Sequence, residues 1–425
     1  MSGLYANTND LAASTPLPLA GKESTLVDRM AQRVLLQLLG RLRYGRLVLH
    51  YQGKTRVVGV EGGLSAEITV RHPHFFRRVL FGGSVGAGEA YVDGLWEADD
   101  LTALVRIMVL NMELLERIEK RFGALFNLAR LAGHLGRANT RSGAKRNILS
   151  HYDLGNEMYR LFLDPTMMYS AAIYPEKTSS LEEASLNKLK VICDTLQLKR
   201  DDRVVEIGCG WGGFAIYAAA NYGCHVTTTT ISEAQHEEAA RRIAAAGLGD
   251  RITLLKSDYR DLSGTFDKLV SVEMIEAVGK QYLPTFFETC RSLLRPEGVM
   301  LLQAITIRDD RYRQYGNAVD FIQRHIFPGG HVPSLTAIMN LLSAKTDFTV
   351  RGVYDFGEHY ARTLVDWRRR FHHALGELRR LGYDERFRRL WEFYLCYCEG
   401  GFRERYISVV HLLATRSGHR PAWQP

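Results

Sequence analysis

The stretch EIGCGWGG at residues 206–213 follows an apolar, strand-like run and precedes a helix-like one. Gly208, Gly210 and Gly212 let such a turn close sharply and bring its backbone near a ligand, while the free N–H groups of the next helix face the same ligand. A glycine turn of this kind serves NAD, FAD and S-adenosylmethionine (SAM) alike. Its neighbours favour SAM. No Gly-Lys-Ser/Thr of a phosphate loop is present, and the Glu206 carboxylate would repel a pyrophosphate but attract the cationic amino acid end of SAM. The following strand ends in TTTTISEAQ, with Thr230 and Gln235 within reach of a ribose hydroxyl. The third ends in Ser257, Asp258 and Tyr259, placed to meet an adenine. A turn serving only helix packing would not need three consecutive strand ends of this character.

The elements that must position these residues are legible as alternating patterns. Strands are expected at 203–209, 225–231, 252–257, 268–274, 299–306, 349–354 and 407–415, with helices between most of them. One helix, 232–246, opens with the capping-box spacing Ser232 to Gln235. Strand–helix alternation predicts a doubly wound parallel sheet with its ligand at the carboxyl ends of the strands. Ahead of it, a helix at 26–42 and short alternating segments such as RLVLHYQGKTRVVGVEG predict a smaller α+β domain. The expected organisation is a disordered tail (1–24), an amino-terminal domain (25–135), a basic linker (136–150) and an α/β domain (151–416).

At 425 residues two domains are the better expectation. The net charge of +8 implies an anionic partner. Between Leu101 and Ser150 nine Lys/Arg face three Glu, interleaved with Leu, Ile, Met and Phe. That pattern suits either a basic amphipathic helix on a membrane surface or a solvated helix face. No run of about 18 apolar residues occurs, and the first residues lack a secretory signal's basic start and apolar centre, so a cytoplasmic protein is expected. The six cysteines include no CxxC pair, which fits a reducing compartment and argues against a zinc site. Cys396 and Cys398 are the one close pair, sharing a face if extended.

The segments HYDLGNEMYRLFLDPTMMYSAAIYP, EIGCGWGGFAIYAA, TISEAQ, DYRDL, SVEMIEAVG, FIQRHIFPGG, DFGEHYARTLVDW and CEGGFRERYISV occur in that order. Together they resemble the cyclopropane-fatty-acid synthase family of SAM-dependent methyltransferases, across residues 145–416. GGSVGAGEAYVDGLWEADDL resembles the amino-terminal domain of its phospholipid-acting members. The resemblance implies a seven-stranded SAM-methyltransferase fold, and a SAM site lined by Tyr169, Ser170, Val205, Glu206, Ile207, Gly208, Cys209, Gly210, Trp211, Gly212, Gly213, Thr230, Ile231, Ser232, Gln235, Asp258 and Tyr259. It implies action at the phospholipid bilayer surface, on unsaturated acyl chains, with a second copy of the chain as a further partner and no nucleic acid.

An isolated C=C bond is a poor nucleophile, so the sulfonium methyl must be held in line and water excluded while a carbocation forms. A base must then remove a proton. In the resembled family that base is a bicarbonate ion, held by Cys, Glu, His and Tyr side chains and an Ile backbone. Glu276, Ile305 and Tyr360 match three of these, whereas Ala171 stands at the Cys position and Gln303 at the His position. Ala277 replaces a His that usually follows the Glu. Gln303 still hydrogen-bonds an anion but carries no positive charge. A weakened anion site would give the cation time to rearrange, so methylene or methyl-branched chains join cyclopropane as expected products. Cys398 stands where the resemblance places an active-site thiol, against the plainer reading of a buried cysteine beside the last strand. His325 reads as a satisfied core histidine. Two other readings compete with this one. A catalytically inactive SAM- and lipid-binding homologue is motivated by Ala171 and Gln303 but opposed by Glu276 and Tyr360. A nucleic-acid methyltransferase lacks the Asn/Asp-Pro-Pro-Tyr/Phe or Pro-Cys motif.

Overall fold

A computed structural model describes residues 24–115, 155–316 and 319–420. The chain forms two compact units. The first comprises Met1–Gly133, Ala318–Ile326 and Leu375–Glu404, the second His134–Asn317, Phe327–Ala374 and Arg405–Pro425. The expected division into consecutive domains is therefore corrected: the first unit recruits two segments from deep within the later sequence.

In the first unit, helix α1 (Leu26–Leu39) opens with a reciprocal capping box between Thr25 and Asp28. Strands β1 (Arg46–Tyr51), β2 (Lys54–Gly59), β3 (Ser65–Val70) and β4 (Trp96–Ala98) form a sheet in the order β2-β1-β3-β4. Helix α2 (His74–Val92) kinks at Gly83, and α3 (Leu101–Leu110) is capped by Asp100.

The second unit carries α4 (Leu181–Thr195), β5 (Arg203–Ile207), α5 (Gly213–Tyr222), β6 (His225–Thr230), α6 (Glu233–Ala245), β7 (Ile252–Lys256) and β8 (Phe266–Val272). It continues with α7 (Ile275–Val278), β9 (Leu294–Ile307), β10 (Thr349–Asp355), α8 (Gly357–His373) and β11 (Ile407–Thr415). Between α8 and β11 the chain contributes α9 (Glu385–Arg403) to the first unit. This helix explains the correction. Its buried stripe includes Leu390, Trp391, Phe393, Tyr394 and Leu395, and Arg389 donates to the Tyr91 and Trp96 carbonyls of α2 and β4. Cys396 and Cys398 therefore lie on a helix, where residues two apart do not share a face.

All seven expected strands form one sheet in the order β10-β11-β9-β8-β5-β6-β7. Strands β5 to β9 run parallel, whereas β11 pairs antiparallel with β9, and β10 with β11. The sheet is thus mixed rather than wholly parallel. The chain leaves β5 toward β6 and β7 on one side, then crosses to β8 and β9 on the other. The crevice at the carboxyl ends of β5 and β8 is the topological switch point where such sheets bind ligands. Buried apolar clusters cover both faces, one around Phe286, Phe287 and Met300, the other around Phe214, Ile192 and Leu301.

Candidate active site

The turn after β5 takes the conformation its glycines permit, with φ of 93° at Gly208, 50° at Gly210 and 84° at Gly212. The positions differ in what surrounds them. A Cβ on Gly208 would lie 2.8 Å from Met274 Cγ, and one on Gly213 would lie 2.6 Å from the Thr166 carbonyl oxygen. Those two glycines accommodate the protein's own packing. At Gly210 no described atom comes within 4 Å of such a Cβ, so the turn is open to a ligand there. The Cys209 N–H donates to the Thr229 carbonyl (2.9 Å) and the Gly212 N–H to the Cys209 carbonyl (2.8 Å), which fix the loop. Buried Trp211 donates its indole N–H to Asn156 at 2.7 Å.

Several residues expected at the cofactor are engaged within the protein. Val205 and Ile207 are buried in the sheet core beneath the turn. Glu206 is buried and accepts from the Thr228 hydroxyl at 2.6 Å; burial pushes its carboxyl up to about 7, against the pull of Thr228 and Lys188. Thr230 donates to Gln235 Oε1 at 2.9 Å, so the two side chains expected at a ribose hold each other. Ser232 caps α6 by accepting from the Gln235 N–H, and half-buried Ile231 precedes it. The capping box is one-sided because the Gln235 side chain turns to Thr230. The Asp258 carboxylate is gripped by Arg260 through Nε at 2.8 Å and Nη2 at 2.6 Å. Tyr259 buries its hydroxyl with no hydrogen-bond partner among the described residues. Tyr169 joins an aromatic wall, its ring centroid 5.2 Å from both Tyr159 and Trp367.

Three of the positions expected around an anion, Ala171, Gln303 and Tyr360, meet at Glu273, a residue without an expected role, whereas Glu276 and Ile305 pair with each other. Glu273, one position beyond β8, directs its carboxylate into the group. Its Oε1 accepts from the Ala171 N–H (2.8 Å) and from Gln303 Nε2 (2.7 Å), and its Oε2 from the Tyr360 hydroxyl (2.8 Å). Gln303 Oε1 meets His411 Nε2 at 2.9 Å, in register across β9 and β11. An amide oxygen only accepts, so His411 carries its proton on Nε2. Burial and the Lys188 charge push that imidazole down to about 3, so it stays neutral.

Glu276, in the first turn of α7, accepts the Ile305 N–H on Oε1, while its Oε2 has no partner among the described residues. Burial and the adjacent Glu273 charge push its carboxyl up to about 8. Lys188 of α4 is fully buried, donates to Ser170 Oγ at 2.6 Å, and is drawn down to about 8 by burial against the pull of Glu273, Asp164 and Glu206. Burial raises the Glu273 carboxyl as well, opposed by its three donors and by Lys188; with three donors where Glu276 has one, Glu273 is the better holder of a negative charge.

Cys398 belongs to α9 in the first unit, and it is not among the residues that converge on Glu273. Burial raises its thiol, which keeps it protonated. His325, also in the first unit, pairs with Glu89 at 3.1 Å, as a satisfied histidine would. Most of the basic segment 101–150, including the expected linker, lies outside the described residues. Among the described residues no helix is long and apolar enough to cross a membrane.

The family model described as mycolic acid cyclopropane synthetase matches residues 139–412. Tuberculostearic acid methyltransferase UfaA1 of Mycobacterium tuberculosis is 34% identical over 94% of this chain and 93% of its own length. Cyclopropane-fatty-acyl-phospholipid synthase of Escherichia coli is 39% identical over 84% of this chain and 90% of its own. The solved structure of the cyclopropane synthase MmaA2 from M. tuberculosis superposes with a TM-score of 0.60 at 29% identity, covering 64% of this chain and 98% of that one. The structure of mycolic acid cyclopropane synthase CmaA1 complexed with SAH and CTAB matches equally well, at a TM-score of 0.60 and 29% identity.

Proposed function

The chain belongs to the cyclopropane-fatty-acid synthase family of SAM-dependent methyltransferases, and on that premise we propose that it methylates the double bond of unsaturated acyl chains in membrane phospholipids. The observation that supports this most is the open turn at Gly210, set at the switch point between β5 and β8, where the residue that follows β8 is Glu273. SAM, when bound, supplies an electrophilic methyl group on a sulfonium. The residues present fit it: the glycine backbone leaves room at Gly210, and Met168, which precedes Tyr169 and Ser170 in sequence, packs beside Gly213 at the end of the same turn. Phe327, Tyr169, Trp367 and Tyr360 form a row of aromatic rings, each in contact with the next. Such rings exclude water and favour a developing positive charge on an acyl chain. Gln303 and Tyr360 hold the Glu273 carboxylate, and the Ile305 N–H positions Glu276.

The products in this reading are a cyclopropane when the proton leaves the new methyl group, a methylene chain when a hydride shift precedes that loss, or a methyl-branched alkene when the proton leaves a neighbouring chain carbon. The basic segment 101–150 draws the enzyme to anionic bilayers, at about 1 kcal/mol per basic residue near the surface. The test is incubation of the purified chain with methyl-labelled SAM and phospholipid vesicles of unsaturated or saturated acyl composition. Label in the unsaturated acyl fraction alone supports the reading; label in head groups or none in lipid contradicts it.

A further inference from the structure

Glu273 has φ of 49°, the left-handed region. A non-glycine residue there is held under backbone strain that glycine would relieve. The side chain kept at this cost is met by donors from three separate parts of the chain, the Ala171 N–H, Gln303 Nε2 and the Tyr360 hydroxyl. Converging donors of this kind make a cradle for a small carboxylate-like anion. Here the anion is part of the chain. Gln303 is aimed at it, because His411 occupies the amide oxygen and turns the amino group toward Glu273. Ala171 contributes only a backbone N–H and a small side chain, which leaves the space to the carboxylate. Lys188, fully buried, supplies the compensating positive charge.

Resting on the acyl-methyltransferase reading, we propose that Glu273 is the proton acceptor of the reaction, a built-in carboxylate in place of a freely bound bicarbonate ion. Methyl transfer breaks the C–S bond, leaves its electron pair on sulfur, and uses the alkene pair to form the new C–C bond. The neighbouring chain carbon then carries the positive charge. A C–H bond next to that carbon, or on the arriving methyl group, gives its electron pair to a new double bond or to ring closure. Its proton passes to the remaining lone pair of Glu273 Oε2. The carboxyl is neutral after the step and releases its proton to solvent once product has left, with no oxidant or reductant consumed. Protons beside a carbocation are strongly acidic, so the placement of the acceptor matters more than its strength. Glu276 does not fill this role in the same state: with one donor and a neighbouring charge it holds its own proton.

The experiment uses the full chain, SAM, vesicles of unsaturated phospholipid and buffer stripped of carbon dioxide. The wild type is expected to methylate at a rate that added bicarbonate does not raise. Glu273→Gln should lose about 100-fold or more in rate while retaining SAM affinity by calorimetry. Glu273→Gly, which relaxes the backbone and empties the cradle, should be inactive alone and recover with bicarbonate or formate. In calorimetry it should bind bicarbonate where the wild type does not. A wild type that stalls without bicarbonate, or an active Glu273→Gln, overturns the proposal. If the wild type methylates no lipid under any condition, the functional reading fails, and calorimetry still decides the cradle: bicarbonate binding by Glu273→Gly alone upholds it, and binding by the wild type overturns it.

Discussion

Replacing Glu276 by Gln is expected to stabilise the protein in a manner that grows with pH. Glu276 is half-buried, gives one oxygen to the Ile305 N–H, and leaves the other, itself buried, without a partner among the described residues. Gln keeps the acceptor for Ile305 and sets an amino group where the neutral acid carries its hydroxyl. The ordinary carboxyl range lies near 4.5, and in the fold this group is pushed up to about 8. The unfolded chain therefore releases its proton from about pH 4.5 upward while the folded chain retains it to about 8. Across that window the folded state binds more protons, so wild-type stability falls as pH rises and levels off above it. The integrated loss is about 3–5 kcal/mol. Urea unfolding of both proteins from pH 4.5 to 8.5 measures the difference. It should be near zero at the acid end and reach ~3–5 kcal/mol in favour of Glu276→Gln at the alkaline end. A difference that is flat with pH, or that favours the wild type at pH 8, refutes the assignment of a neutral Glu276.

Gly210→Val should weaken SAM binding by ~100-fold or more, since it puts a branched side chain at φ 50° into the open side of the turn; unchanged calorimetric affinity in the folded variant contradicts the cofactor site. Lys188→Met should destabilise the fold by about 3–5 kcal/mol, because half-buried Glu273 and buried Glu206 lose their counter-charge. Because the ammonium is lowered to about 8, wild-type stability should also gain as pH rises from there toward 10.5, a gain absent from the variant; an unaltered unfolding midpoint refutes this. Cys398→Ala should leave methylation unchanged, as the thiol is half-buried on a helix of the first unit and is kept protonated; a large loss of turnover would restore the thiol to the chemistry.

The sheet was legible because strands buried on both faces read as apolar, β-branched runs such as RVVEI and HVTTTT, and the glycine turn because its positions require positive φ. What escaped depends on long-range placement. Nothing local in ERFRRLWEFYLCYC tells which unit its amphipathic face will meet, so α9 passed for part of the second domain. The antiparallel return of β11 sets His411 opposite Gln303, a pairing no short window contains. Glu273 lay within a strand expected to reach Met274, but the strand ends at Val272 and the backbone turns left-handed. A charged residue in the apolar run LVSVEMIE was the available signal. Lys188, on the buried stripe of α4, offered a similar one.

The most direct measurement is mass spectrometry of phospholipid acyl chains from cells that express the protein and are fed methionine with a deuterated methyl group. The account predicts unsaturated chains that gain one carbon, carry deuterium from that methyl group, and lose the gain in the Glu273→Gln variant. Acyl chains identical with and without the protein, or deuterium confined to head groups, would contradict it.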